Sequence, residues 1–297
     1  MWGRHHDRVP VGVIDVGSNT VRLLVTRDGR CVHTEREMLR LGADVEQTGA
    51  VTEEKLGEVA HVVAHYADEA RTRGADAVEV LITSPGRQAA NGEELQQVLA
   101  RAAAAPARVL SAAEEGRLAF AGAVAFAGPP ARRVVAVVDV GGGSAQVVVG
   151  TRRDGPRWTR SIDLGSQRLT SRLLADDPPG RDAIAAAAEE VEGYLHEFAP
   201  PQPRTAYAVG GSARALKQIV GARLSPHGLD EALELLATTP RANIAAKHGI
   251  DVERARTLAA GAVILAALQR RLGVPLRVTR GGVREGAAGE LARTLAA

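Results

Sequence analysis

Val137-Val138-Asp139-Val140-Gly141-Gly142-Gly143-Ser144 repeats, with small changes, the phrase Val13-Ile14-Asp15-Val16-Gly17-Ser18-Asn19-Thr20, and each copy follows an apolar run. A buried strand that breaks into Asp-x-Gly and small hydroxyl residues lets backbone N–H groups approach an anion, because glycine removes the Cβ obstacle and tolerates unusual φ/ψ. Carboxylates beside phosphate oxygens suit a bound Mg²⁺ or an oriented water, which points to phosphoryl chemistry. One copy alone reads equally well as a strand ending in a glycine turn. Two copies indicate two related halves, with Asp15 and Asp139 facing one another across a cleft in which a ligand would sit.

The surrounding segments follow the same plan. Val11 to Val25 reads as strand, turn and strand. Thr52 before Glu53 and Glu54 caps a helix on which Leu56, Val59, Val63 and Tyr66 fall at helical spacing, with Gly74 as its stop. Val78 to Ile82 is a strand with a loop, Thr83 to Arg87, at its end; Asn91 to Ala104 is a helix; Arg108 to Leu110 is a strand before a capped helix start at Ser111. Gly128-Pro129-Pro130-Ala131 punctuates the chain ahead of the second copy. Strands at Val134 to Asp139, at Ala145 to Gly150 and up to Leu164 follow, then an Ala-rich helix from Arg181 to Phe198. Thr205 to Val209 is a strand that runs into Gly210-Gly211-Ser212, and Arg254 to Arg271 is a helix. Strands and helices mixed in two similar halves predict an α/β protein, and 297 residues are enough for two domains.

Composition narrows the function. Three Phe, three Tyr and two Trp leave little aromatic surface for stacking single-stranded nucleic acid, and a net charge of +2 from 37 basic and 35 acidic residues is no DNA-binding surface. Only Lys55, Lys217 and Lys247 are lysines, so an anion site must rely on guanidinium groups, which bind phosphate bidentately. Arg40, Arg168, Arg214, Arg254 and Arg280 are the pool for such a groove. Cys31 is the one cysteine, which excludes an intrachain disulfide and a cysteine metal cage. The polar N-terminal stretch with His5 and His6 lacks a signal-peptide core, and no apolar run reaches transmembrane length, so a cytoplasmic protein with no membrane or nucleic-acid partner is expected. His61 and His65 stand four apart on a helix, but Val62, Val63 and Ala64 between them supply no acid for a zinc hydrolase. Leu229 to Leu236 could pack in a homodimer or within a domain core, and the sequence leaves both open.

The ordered motifs resemble those of the exopolyphosphatase and guanosine pentaphosphate phosphatase family, in the actin-like superfamily. Asp15 to Leu23, Thr83 to Asn91, Glu114 to Leu118, Asp139 to Gln146, Gly210-Gly211-Ser212 and Arg284-Glu285-Gly286 look like its successive blocks, which cover almost the whole chain. The resemblance implies two actin-like (ribonuclease H-like) domains with a cleft between them, in the short two-domain form. The first would span 8–127, the second 128–284, with a helix at 285–297 packing back on the first. It implies removal of terminal phosphate from polyphosphate or guanosine pentaphosphate, the latter tied to the stringent response. Glu115 would be the general base, its pKa raised by partial burial, and Arg22 and Arg87 would offset phosphate charge. Gly17, Ser18, Asn19, Thr83, Ser84 and Gly141, Gly142, Gly143, Ser144 would cradle phosphates, while Asp15 and Asp139 would hold Mg²⁺ directly or through water. Gly210, Gly211 and Ser212 would bind phosphates further along the polymer or form a plain turn.

The chain departs from the family pattern at Gln146, where Glu is usual, and more mildly at Pro85, Gly86 and Gly116. Gln146 remains a further metal candidate, but its amide keeps an acceptor oxygen without the charge, so metal held there should be weaker. A protein that senses polyphosphate or an alarmone without hydrolysing it is therefore the rival reading, and an actin-like kinase a more distant one.

Overall fold

The computed structural model describes residues 9–297; His5, His6 and the domain start expected at residue 8 lie outside the described residues. The chain divides into two compact units, Met1–Ala125 with Gly281–Ala297, and Phe126–Arg280. The first contains β1 (Val11–Val16), β2 (Thr20–Arg27), β3 (Arg30–Met38), α1 (Leu41–Thr48), α2 (Glu53–Thr72), β4 (Ala77–Ile82), α3 (Ser84–Gln88), α4 (Gly92–Ala103), β5 (Ala107–Val109) and all but the last two residues of α5 (Ala112–Ala127). In the second follow β6 (Val135–Val140), β7 (Ala145–Thr151), β8 (Gly155–Ile162), α6 (Ser166–Leu173), α7 (Arg181–Tyr194), β9 (Thr205–Val209), α8 (Gly210–Val220) and β10 (Arg223–Leu224). It closes with α9 (Pro226–Thr238), α10 (Arg241–His248), α11 (Val252–Arg256), α12 (Leu258–Leu272) and β11 (Leu276–Val278), after which α13 (Val283–Leu295) belongs to the first unit again.

The first sheet runs β3-β2-β1-β4-β5, with β1 antiparallel to β2 and parallel to β4. The second, read from its far edge, runs β8-β7-β6-β9-β11-β10, with β6 antiparallel to β7 and parallel to β9. The repeated Asp-x-Gly phrase therefore marks a repeated sheet. In both, the phrase ends the strand that switches from an antiparallel to a parallel neighbour, and a parallel neighbour requires a crossover through helices.

Alternation of side chains along β1 sets what the site residues face. Ile14 and Val16 join the core that contains Val59 and Val63 of α2 and Leu95 and Leu99 of α4. Val11 and Val13 join Leu118 and Ala119 of α5 and Ala287 and Ala288 of α13. Each such fully buried Val or Ile contributes roughly 1.5–3 kcal/mol. Asp15 shares the parity of Val11 and Val13, so its carboxylate stands on the face covered by α5 and α13. Those helices meet at glycines: a Cβ at Gly286 would lie 2.1 Å from the Leu118 carbonyl oxygen, and one at Gly122 would lie 2.2 Å from that of Gly282.

Some elements differ from expectation. Thr83 to Arg87, read as a loop, turns into α3 after Thr83, because Pro85 falls in the first turn, where its missing N–H would have no helical partner anyway. The helix expected from Arg254 to Arg271 is two, α11 and α12, parted at Thr257, and α7 stops at Tyr194, short of Phe198. No apolar alternation announces β3, an edge strand of largely exposed charged residues. Leu229, Ala232 and Leu236 of α9 lie in the second unit's core, where α9 packs against α12, so this apolar face is already covered. No helix among the described residues is long and apolar enough to cross a membrane.

Candidate active site

In the first unit the Gly17 N–H donates to the Thr20 carbonyl at 3.0 Å and closes the turn between β1 and β2. Parallel pairing of β4 with β1 sets Ile82 beside Val16. The next residue, Thr83, donates its N–H to the Val16 carbonyl at 3.1 Å, and Ser84 meets Ser18 hydroxyl to hydroxyl at 2.8 Å. Ser18, Asn19, Thr83 and Ser84 are all buried, and Asn19 Oδ1 has no hydrogen-bond partner among the described residues. Two phosphate-binding candidates distant in sequence are thus joined by one hydrogen bond.

Asp15 lies directly across the hairpin from Arg22. Burial pushes its carboxyl above the ordinary value of 3.8, while the guanidinium groups of Arg284 and Arg22 pull it down and Glu285 adds to the push. Arg284 also donates to the Leu23 carbonyl at 3.2 Å. In the sequence Arg284 and Glu285, in the first turn of α13, are only part of a motif; the structure brings their charges to Asp15.

Glu115 owes its orientation to its neighbour. Glu114 and Ser111 form a capping box: the Glu114 N–H donates to Ser111 Oγ at 3.2 Å and the Ser111 N–H donates to Glu114 Oε2 at 2.9 Å. The Ser111 hydroxyl and N–H hold the Glu114 carboxyl below the usual carboxylate range. Glu114 is therefore the solvent-side cap of α5, and Glu115 turns inward to 6% exposure. There Arg87 Nη2 lies 2.8 Å from Glu115 Oε2, and Arg87 Nη1 donates to the Leu110 carbonyl at 2.7 Å. Because α3 carries both Ser84 and Arg87, one short helix links the Asp15 loop to the buried acid.

In the second unit the Gly141 N–H donates to the Ser144 carbonyl at 3.0 Å, the counterpart of the Gly17–Thr20 bond. The carbonyl of Gly141 accepts from the Ser166 N–H at 2.9 Å, and that of Gly142 from Gln167 and Arg168 at 2.8 and 3.2 Å, so the glycine loop satisfies the first turn of α6. Gly165 is pressed against it: a Cβ there would lie 2.4 Å from the Gly142 carbonyl carbon. Asp139 is paired in register with Gln146. Gln146 is buried; its Nε2 donates to Ser144 Oγ at 2.9 Å and Ser161 Oγ at 3.3 Å, and its Oε1 has no partner among the described residues.

The third glycine turn comes to the same strand end. Gly210, at φ +91°, approaches Asp139 so closely that a Cβ would lie 2.7 Å from Asp139 Oδ1, and Gly211 lies against the Arg254 guanidinium. Ser212 is the candidate that stands apart from this group: it is buried, with its hydroxyl against Gly261 of α12.

The profile described as the Ppx/GppA phosphatase family matches residues 24–294. Exopolyphosphatase 1 of Mycobacterium leprae is 28% identical over 285 residues, covering 89% of this chain and 84% of that protein. A crystal structure of an exopolyphosphatase-like protein is similar at a TM-score of 0.88 and 25% identity, covering 97% of this chain and 100% of the other. The PPX-GPPA enzyme of Aquifex aeolicus is similar at 0.78 and 25% identity, covering 95% and 99%. The α/β architecture of two actin-like domains expected from the motifs is the one observed. With a profile match along most of its length, the chain belongs to the Ppx/GppA phosphatase family.

Proposed function

We propose that the chain is a hydrolase that releases terminal phosphate from inorganic polyphosphate, with guanosine pentaphosphate as an alternative substrate bearing the same phosphoanhydride end. The observation that carries this reading is the buried Glu115 carboxylate held against Arg87. The curated relative named exopolyphosphatase supports the choice of polymer.

In this reading an arriving phosphate competes with Glu115 for Arg87, because a guanidinium binds either oxyanion. Drawn toward phosphate, Arg87 offsets its charge and leaves the carboxylate to accept a proton from the attacking water. Arg22 and Arg284 supply further positive charge beside Asp15. In the second unit Asp139 and the unpartnered Gln146 oxygen are hard oxygen donors that suit Mg²⁺, and in the first Asp15 is another such donor. Bound Mg²⁺ would neutralise charge on phosphate oxygens.

A non-hydrolysing sensor is the second reading, favoured by the neutral amide at Gln146. The test is phosphate release from long-chain polyphosphate and from guanosine pentaphosphate, without ATP, with and without Mg²⁺, for the wild type and Glu115→Ala. Metal-dependent release that disappears in the variant is expected. Binding without release indicates the sensor, and turnover that requires ATP indicates a kinase.

A further inference from the structure

We propose that the first unit carries a second metal site, for Zn²⁺ or a similar first-row divalent cation, built from His33 and Glu35 of β3 and His65 and Glu69 of α2. It is separate from the glycine loops and independent of the reading above. Strand pleating puts His33 and Glu35, two residues apart, on one face of β3. Helical spacing puts His65 and Glu69, four apart, on one face of α2. The donor atoms of His33, Glu35 and Glu69 all lie within 4.8 Å of one another, and this is the one such group of His, Cys, Asp or Glu among the described residues. His33 Nε2 is 2.6 Å from Glu35 Oε1 and 3.8 Å from Glu69 Oε1, and His65 Nε2 is 3.6 Å from the other Glu35 oxygen.

Tetrahedral zinc holds its donors about 3.3 Å apart, so small side-chain rotations gather His33, Glu35 and Glu69 around a cation, and His65, beside Glu35, would supply the fourth donor. A donor set mixing imidazole with carboxylate fits Zn²⁺ better than Mg²⁺. His65 is 59% exposed in its side chain, while the other three are about a fifth to a third exposed. Glu69 is shared with Arg73, at 2.5 Å, which the cation would displace. With four protein ligands the ion would be structural, tying the edge strand β3 to α2.

Titration of the metal-free full chain with Co²⁺, read by visible absorption, tests the site. One equivalent with tetrahedral bands, displaced by Zn²⁺, is expected. His33→Ala and Glu69→Gln should each weaken binding more than about ten-fold, with unchanged far-UV circular dichroism. Cys31→Ser and the paired His5→Ala, His6→Ala substitution should leave it intact. Zn²⁺ should raise the Tm of the wild type but not of His33→Ala. Absence of a Zn²⁺-displaceable band, its persistence in His33→Ala, or its loss on removing His5 and His6 overturns the proposal.

Discussion

Gln146 stands directly opposite Asp139 across β6 and β7, in the register position that Arg22 holds opposite Asp15 across β1 and β2. The repeated sheets therefore set different partners beside equivalent carboxylates. Asp15 has a cation beside it, whereas Asp139 has a neutral amide with an unpartnered oxygen.

Gln146→Glu should tighten Mg²⁺ binding by roughly ten-fold and raise phosphate release, since a second carboxylate joins the donor set. Without metal the added carboxylate, buried at position 146 beside the half-buried Asp139, should destabilise the fold by roughly 1–3 kcal/mol. Calorimetric titration with Mg²⁺ and melting curves with and without EDTA check both parts. No gain in affinity would remove Gln146 from the metal set.

The proposed general-base role requires that Glu115→Gln lower turnover by about 10²–10⁴-fold with little change in stability. Arg87→Ala should cost roughly 3 kcal/mol, because it leaves the Glu115 carboxylate buried without its guanidinium. The double variant should recover part of that loss in urea unfolding. Full additivity would mean that the pair does not act as a unit.

Asp15 should make stability depend on pH in a particular direction. Its carboxyl is raised above 3.8 by burial, so the folded state binds the proton more tightly than the unfolded one. The resulting stabilisation is complete below 3.8 and is lost as pH rises through the folded value. At neutral pH the ionised group is a liability. In EDTA, Asp15→Asn should melt a few degrees, on the order of 3 °C, above the wild type at neutral pH, and the gap should close on acidification. A gap that is constant with pH would exclude burial of the charge as its cause.

Gly286→Ala should destabilise the first unit by about 2–3 kcal/mol, because its Cβ would lie 2.1 Å from the Leu118 carbonyl oxygen and must push α13 from α5. Activity should fall as well, since α13 carries Arg284. The neighbouring Arg117–Glu290 ion pair is over a third exposed on both sides, so Glu290→Gln should cost only about 0.5 kcal/mol and less at high salt. Urea unfolding of the two variants side by side separates a packing contact from a surface charge pair.

Much of the fold was legible because its signals are local. Apolar runs that break into Asp-x-Gly, the Thr52 cap and the Gly74 stop each lie within a few residues, and α2 ends where those signals place it. The sequence misleads or is silent where local and tertiary demands conflict: Pro85 and Gly86 suggest a loop yet sit in α3, and β3, which no local signal marks, pairs through its backbone while its side chains carry charge. Helical spacing pairs His65 with His61 on its own helix, whereas its spatial neighbour is Glu35 on β3.

The sequence by itself determined that there are two related halves, where their loops fall, and which family's motifs they carry, because strand runs and glycine turns are written in adjacent residues. Tertiary structure alone decided that Arg87 faces Glu115, that Ser84 meets Ser18, and that Arg284 returns to Asp15. Those pairings depend on parallel crossovers, on the parity of each strand position and on the closeness that glycine permits between α5 and α13. None of these is a property of neighbouring residues; each arises when separate elements bury their apolar faces together.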